Sequence, residues 1–319
     1  MPGLLQRRLI FVTGKGGVGK STVATALGLL AARRGLRVVV AELASQDRVR
    51  QSLSASEEPP PATFTEVELA DGLFTISIDP QSAMDEYLRV KTGAVGQALG
   101  SNRLFGAFAM ATPGMRELLS IGKVWELAQF ERRTRGAEPY DLVIVDSPAA
   151  GHGVGILRTP KTFAEIARVG PIAHQAATIA ATIADRDFTA VVAVATAEEM
   201  PVNETLWLRD ALAEDELELE AVIVNGCYPQ RFRPSDRKRL EKARESAQTR
   251  LVSAALRAAL SEQARAHAQR DQLRRLQAGL GGTPMVLPCL FCEEIGRAEL
   301  EVLADGIEAG LTKLESVPA

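Results

Sequence analysis

The sequence predicts an α/β fold: a doubly wound, mostly parallel sheet with helices on both faces. Short apolar runs of strand length recur along the 319 residues. Helical patterns separate them almost everywhere. The first two runs are joined through a glycine-rich turn and a helix, which makes a βαβ unit. Strands that alternate with helices need crossover connections, and these impose a parallel sheet.

In chain order, Leu9–Thr13 is the first apolar run, Gly14–Gly19 the glycine-rich turn, and Lys20–Arg34 a helix that Gly35 ends. Leu36–Glu42 reads as a second buried strand. Ser52–Thr65, rich in Pro, Ser and Glu, reads as a surface loop, and Leu73–Ile78 as a strand closed by Asp79-Pro80. Residues 81–135 are helical in pattern, broken near Thr112-Pro113-Gly114. Tyr140–Val145 is a strand ending in Asp146, followed by a glycine-rich loop and a helical region up to Ala184. Thr189–Thr196 is a strand, Val202–Ala213 a helix and Leu219–Val224 a strand. Arg237–Leu280 reads as one long helical stretch, Pro284–Leu287 as the last strand and Ile295–Leu314 as the last helix. No internal repeat is visible, so the expectation is a single domain over residues 1–319. Insertions at about 81–135 and 155–184 would form a helical subdomain.

Composition narrows the function classes. Apolar residues make up 46% and charged residues 24%, ordinary for a globular chain. A formal net charge of -3 makes no electrostatic case for nucleic acid as a partner. No apolar run approaches the ~20 residues that span a bilayer, so membrane contact is expected to be peripheral at most. The arginines and apolar residues of the N-terminus run straight into the glycine-rich turn, and we read them as the first strand rather than an export signal. Three cysteines do not make a disulfide framework. A reducing, cytoplasmic setting is expected.

The glycine-rich turn carries the chemistry. Residues 14–22 contain G-x-x-x-x-G-K-S: Gly14, Lys15, Gly16, Gly17, Val18, Gly19, Lys20, Ser21 and Thr22. Glycines let backbone N–H groups turn inward around phosphate oxygens, and the following helix adds its positive N-terminal end. Lys20 is expected to reach the β- and γ-phosphates, the Ser21 hydroxyl to ligate Mg²⁺, and Thr22 to face the α-phosphate. ATP and Mg²⁺ are the expected cofactors.

Lys15 adds information, because a plain phosphate loop does not need a second lysine there. K-G-G-x-G-K-S/T resembles the deviant Walker A motif of partition and division-site ATPases, nitrogenase iron protein, and arsenite-pump and guided-entry tail-anchored-protein-targeting ATPases. Further segments resemble the last two. They are Ile78-Asp79-Pro80 with Tyr87; Thr112-Pro113-Gly114-Met115-Arg116-Glu117; Asp146-Ser147-Pro148-Ala149-Ala150-Gly151-His152; Glu198-Glu199 with Glu204-Thr205; Asn225 after a strand; and Pro288-Cys289-Leu290-Phe291-Cys292-Glu293-Glu294-Ile295. The matches run from the first strand to the last helix, in family order.

This resemblance implies a P-loop ATPase of the deviant Walker A class that works as a dimer. Lys15 would reach across to the partner's nucleotide, like an arginine finger. Asp146 would be the Walker B carboxylate, holding Mg²⁺ through water. Gly151 would sense the γ-phosphate by its backbone N–H, and His152 would help couple that switch to the dimer. Asn225 would read adenine, flanked by Pro288, Cys289 and Glu293. The family places a water-orienting aspartate just after the second strand. Here Glu42 stands in that place, one methylene longer, with Asp47 as a fallback. An error near 1 Å in reach can cost about 100-fold in rate, so slow hydrolysis is one expectation.

The cysteines depart from the family. Nothing in their positions predicts an arsenite site, and the region after Asn225 lacks the zinc-clamping pair. Cys289 and Cys292 read as small residues of the nucleotide loop rather than as metal ligands. A bacterial branch without the arsenite and zinc cysteines is the reading.

Apolar residues crowd the helical insertion: Leu104, Phe105, Phe108, Met110, Met115, Leu118, Leu119, Ile121, Val124, Trp125 and Leu127. They could line a groove for an apolar helix or form the subdomain's own core. The expected function is a Mg-ATP-hydrolysing dimer whose nucleotide state drives a shape change that handles a client protein. The alternatives are a positioning or regulatory switch, or a slowly hydrolysing scaffold paired with a paralogue. The partner would be a second copy or such a paralogue.

Overall fold

The computed structural model describes residues 3–43, 47–53, 64–89, 112–134, 136–167 and 170–315. Among these, eight strands form one sheet: β1 (Leu9–Gly14), β2 (Val38–Glu42), β3 (Val67–Ala70), β4 (Leu73–Ser77), β5 (Leu142–Asp146), β6 (Thr189–Thr196), β7 (Leu219–Cys227) and β8 (Met285–Pro288). Their order is β3-β4-β2-β5-β1-β6-β7-β8. Pairings are parallel except β3 on β4, which is antiparallel. The expected doubly wound, mostly parallel α/β sheet is therefore present.

The helices are α1 (Lys20–Arg33), α2 (Arg48–Leu53), α3 (residues 80–89 as described), α4 (Met115–Leu127), α5 (Ala150–Ala167), α6 (Pro171–Ala184), α7 (Glu199–Glu214), α8 (Asp236–Glu245), α9 (Arg250–Leu280) and α10 (Arg297–Glu315). Strand side chains alternate between two cores, as the pleat requires. Leu9, Phe11, Val143 and Val145 face one layer with α4, α5, α6 and α7. Ile10, Val12, Ile144 and Val192 face the other with α1 and α10. Both faces of the central strands are covered, which explains their continuous apolar composition.

Three local expectations are corrected. The stretch Ser52–Thr65 was expected to be a loop, but α2 runs through Leu53, and residues 54–63 lie outside the described ones. The edge strand β3 was not expected. Three of its four residues are half-buried and Glu68 is exposed, so the apolar signal is weak, but Asp71-Gly72 between β3 and β4 is a hairpin turn signal. The long helical stretch after Arg237 is two helices. Thr249 begins the second, its hydroxyl accepting the Val252 N–H at 3.2 Å.

The apolar residues of the helical insertion divide. Leu118, Ile121, Val124 and Leu127 of α4 are buried in the core shared with β1, β2 and β5. Leu104, Phe105, Phe108 and Met110 lie outside the described residues, as does the His152 side chain.

Candidate active site

Three adjacent strands end together and build the site. In register, Glu42 of β2 lies beside Asp146 of β5, and Val12 of β1 beside Asp146 on its other edge. The phosphate loop leaves β1 at the same level. Ligands of open α/β sheets bind outside the carboxyl ends of the strands, and the two carboxylates and the loop meet there.

The loop's glycines are sterically required at two points. Gly14 (φ 143°) is paired with Val194, and a Cβ there would sit 2.0 Å from the Val194 carbonyl oxygen. Gly19 (φ 91°) leads into α1, and a Cβ would fall 2.4 Å from the Asn225 amide nitrogen. Both conformations lie in the left-handed range that only glycine adopts cheaply.

An open cleft lies here. It is lined by Gly16, Gly17, Gly19, Lys20, Ser21, Thr22, Glu42, Arg48, Ser52, Asp146, Ser147, Pro148, Ala149 and Ile295. The structure thus brings together the loop, Glu42 and Asp146, as the sequence leads one to expect. Val18 is buried beneath the loop, where its carbonyl accepts the Asn225 side-chain N–H at 3.0 Å. Lys15 is not among the lining residues. Its ammonium lies 3.7 Å from Glu204 of α7, at a part-exposed ion pair. Gly151 stands exposed in the first turn of α5, two residues beyond the lining segment. Pro288, Cys289 and Glu293 do not line the cleft, whereas Ile295 of the same loop does.

Within the cleft, the Ser21 hydroxyl donates to Asp146 Oδ2 at 2.5 Å, and the Lys20 ammonium donates to the Lys15 carbonyl at 3.1 Å. Asp146 Oδ1 is buried without a partner. Burial raises the Asp146 pKa, against the Ser21 hydrogen bond and the nearby charges of Lys20 and Arg48. Burial also lowers the Lys20 pKa, opposed by Asp146. A hydroxyl beside a carboxylate that keeps a free oxygen is a hard oxygen donor set. Mg²⁺ prefers such sets, filling the rest of its shell with water and phosphate.

Glu42 is more tightly held than its type suggests. Its Oε1 accepts the backbone N–H of Arg48 at 2.8 Å and of Val49 at 3.4 Å, while Oε2 is buried with no partner. Burial pushes its pKa up to about 7. Asp146 raises it further, and the two backbone hydrogen bonds oppose the shift. The extra methylene of glutamate is what spans to the first turn of α2. Asp47, the fallback carboxylate, does not line the cleft.

Sequence reasoning missed Arg48 in this set. Nothing in the string separates it from Arg50, and only the backbone path after β2 places it in the cleft.

The chain is similar to known proteins. The family model described as anion-transporting ATPase matches residues 7–178 and 166–257. The chain belongs to that family. Over 326 residues it is 31% identical to ATPase BagA of Mycobacterium tuberculosis, covering 95% of this chain and 89% of the relative. It is 28% identical over 251 residues to ATPase GET3 of Candida glabrata, covering 68% of this chain and 71% of that protein. An arsenical pump-driving ATPase of Escherichia coli is 25% identical over 241 residues, covering 69% of this chain and 39% of that longer protein. The chain is an ATPase of the arsenite-pump and tail-anchored-targeting group. No described helix is long and apolar enough to cross a membrane.

Proposed function

We propose that this ATPase works as a dimer and couples its nucleotide state to a movement of helices that handle an apolar client segment. The observation that carries the coupling is the placement of α5. Its N-terminus follows Ser147–Ala149, which line the nucleotide cleft, and its body packs on α4 and α6. Those two helices, with α3, line a second pocket, with Tyr87, Met115, Leu118, Leu119, Ile172 and Ile179 on its walls together with Lys123, Glu126 and Arg133. A change at the phosphate end of the cleft would pass along α5 to the walls of this pocket. Helices and an apolar groove with a methionine suit a client helix of varied sequence. In this reading the chain is one domain whose insertions near 81–135 and 155–184 supply the moving helices, and the protein acts in the cytoplasm.

The residue roles follow the chemistry of the cleft. Lys20 and the backbone N–H groups of Gly16, Gly17 and Gly19 hold the phosphates. Ser21 and Asp146 would hold Mg²⁺, which would supply positive charge to the phosphates. Glu42 orients the attacking water through Oε2, the oxygen that the backbone leaves free. Asn225, with the Pro288–Ile295 loop carrying Cys289 and Glu293, frames the base. Gly151 reports the γ-phosphate to α5. Lys15 exchanges its ion pair with Glu204 for the nucleotide of a partner subunit. A slowly turning over switch paired with a paralogue is the second reading, favoured by the commitment of one Glu42 oxygen to the α2 backbone.

The test combines size and binding. With Mg²⁺ and a non-hydrolysable ATP analogue, wild type is expected to sediment as a dimer and Lys15→Ala as a monomer. An apolar helical peptide is expected to bind in one nucleotide state at least tenfold more tightly than in the other, and Leu119→Ser to weaken that binding. Equal peptide affinity in the ADP and ATP-analogue states would remove the coupling.

A further inference from the structure

Arg48 is, besides Lys20, the only cation among the described residues lining the nucleotide cleft. Its backbone N–H donates to Glu42 Oε1 at 2.8 Å, which fixes its Cα at the phosphate end of the site, beyond the tip of β2. Its side chain is exposed to the cleft and pairs with no described carboxylate, although Glu42 and Asp146 line the same space. The guanidinium therefore keeps its donors for a ligand oxyanion. A guanidinium that lines the same cleft as the phosphate-loop lysine and Asp146 stands where the terminal phosphate of a nucleotide would lie.

We propose that Arg48 is a further catalytic residue of this ATPase, supplied in cis, whose guanidinium binds the γ-phosphoryl oxygens and stabilises the charge that gathers there during hydrolysis. The inference rests on ATP occupying this cleft. As the water oxygen bonds to the γ-phosphorus, the bond to the β,γ-bridging oxygen breaks. ADP leaves with the electron pair, the water's proton ends on inorganic phosphate, and Arg48 keeps its own proton. Phosphoryl transfer asks a protein mainly for positioning and for charge complementary to the equatorial oxygens, and a planar guanidinium meets two of them at once. The anchoring amide belongs to the backbone, so replacing the side chain leaves the hold on Glu42 intact.

The experiment compares wild type, Arg48→Ala and Arg48→Lys by steady-state phosphate release, with calorimetric affinities for Mg-ADP and for Mg-ADP with aluminium fluoride. Arg48→Ala is expected to lower kcat about 100- to 1000-fold, the usual effect of removing one transition-state donor. Its Mg-ADP affinity should stay within about twofold, and its binding of the aluminium fluoride complex should be lost. Arg48→Lys should recover only part of the rate, because a point charge replaces a fork. An unchanged melting temperature accompanies this result, since the side chain is exposed. A kcat for Arg48→Ala within about threefold of wild type overturns the proposal. So does an Mg-ADP affinity that falls as much as the aluminium fluoride affinity, which would make Arg48 a general phosphate contact. A wild-type protein that binds no ATP overturns the cleft assignment and the Arg48 role together, and is told apart by its failure before any substitution.

Discussion

Glu42→Gln separates the energetics of the site from its catalysis. Glu42 is 2% exposed, and burial lifts its pKa from 4.5 to about 7. A carboxyl whose folded pKa lies above its unfolded value weakens the fold as it ionises. Below pH 4.5 both states hold the proton and the penalty is small. It grows between pH 4.5 and 7 and is complete above 7, because the unfolded chain ionises there at no cost. The linkage relation gives a penalty of about 0.8 kcal/mol at pH 5 and about 3 kcal/mol at pH 8. Glutamine keeps an Oε1 for the Arg48 and Val49 amides and does not titrate, so the cost of burying its amide is the same at both pH values. The stability of Glu42→Gln relative to wild type should therefore improve by about 2.5 kcal/mol from pH 5 to pH 8. Unfolding entropy of about 2.1 cal/mol/K per residue over 319 residues converts this to roughly 4 °C in relative melting temperature. Thermal melts without nucleotide at the two pH values measure it. A relative shift below about 1 °C refutes the buried, half-paired carboxyl. The same variant should lose about 100-fold or more in phosphate release. Glu42→Asp should lose about 10- to 100-fold, because a shorter side chain cannot hold the Arg48 amide and present a second oxygen.

Two further outcomes follow from the structure. The Arg132 side chain is 0% exposed and bonds Glu66 at 2.6 Å and Glu126 at 3.0 Å; without it Glu66 keeps the Tyr140 hydroxyl and Glu126 keeps Lys123, so Arg132→Met should cost about 1.5–3 kcal/mol in a urea melt. Burial works to raise the pKa of Glu66 and Glu126, but Arg132, with Tyr140 on Glu66 and Lys123 on both, outweighs it and holds them below the ordinary 4.5, so their share of stability is present above that value and fades as pH falls through the folded values. A loss under about 1 kcal/mol for Arg132→Met would show that the network contributes little. Gly19→Ala forces a left-handed φ of 91° on alanine and drives its Cβ against the Asn225 amide 2.4 Å away. It should weaken binding of a fluorescent ATP analogue at least tenfold without unfolding the sheet, and unaltered affinity would contradict the fit of the Asn225–Val18 contact.

Much of the fold was legible because the central strands are buried on both faces. Leu9–Gly14, Leu142–Asp146 and Thr189–Thr196 read as strands from apolar composition alone, and Gly14 and Gly19 mark the turn between β1 and α1. Legibility fails where burial is partial. β3 is a half-buried edge strand, and α2 is short and polar, so neither carries enough apolar periodicity to stand out. The boundary between α8 and α9 depends on one threonine cap inside a uniformly helical composition. At the site, Lys20, Ser21 and Asp146 were legible because a local motif or a strand end carries each of them. Arg48 was not, because its place depends on how the chain turns after β2.

That turn also changes the meaning of Glu42. From the sequence alone, a glutamate where relatives keep an aspartate suggests a carboxylate that overshoots its water. In the structure the added length is taken up by the Arg48 and Val49 amides, which fix one oxygen and leave the other unpartnered beside Asp146. Glutamate and α2 then form a single device: the helix start fixes the carboxylate, and the same residue that donates the amide projects a guanidinium into the cleft. Under the proposed roles, water orientation and charge stabilisation both depend on one six-residue helix. Shifting α2 by an ångström would misplace both, whereas the phosphate loop would still hold nucleotide. Turnover should thus be far more sensitive than nucleotide affinity to changes in the β2–α2 segment.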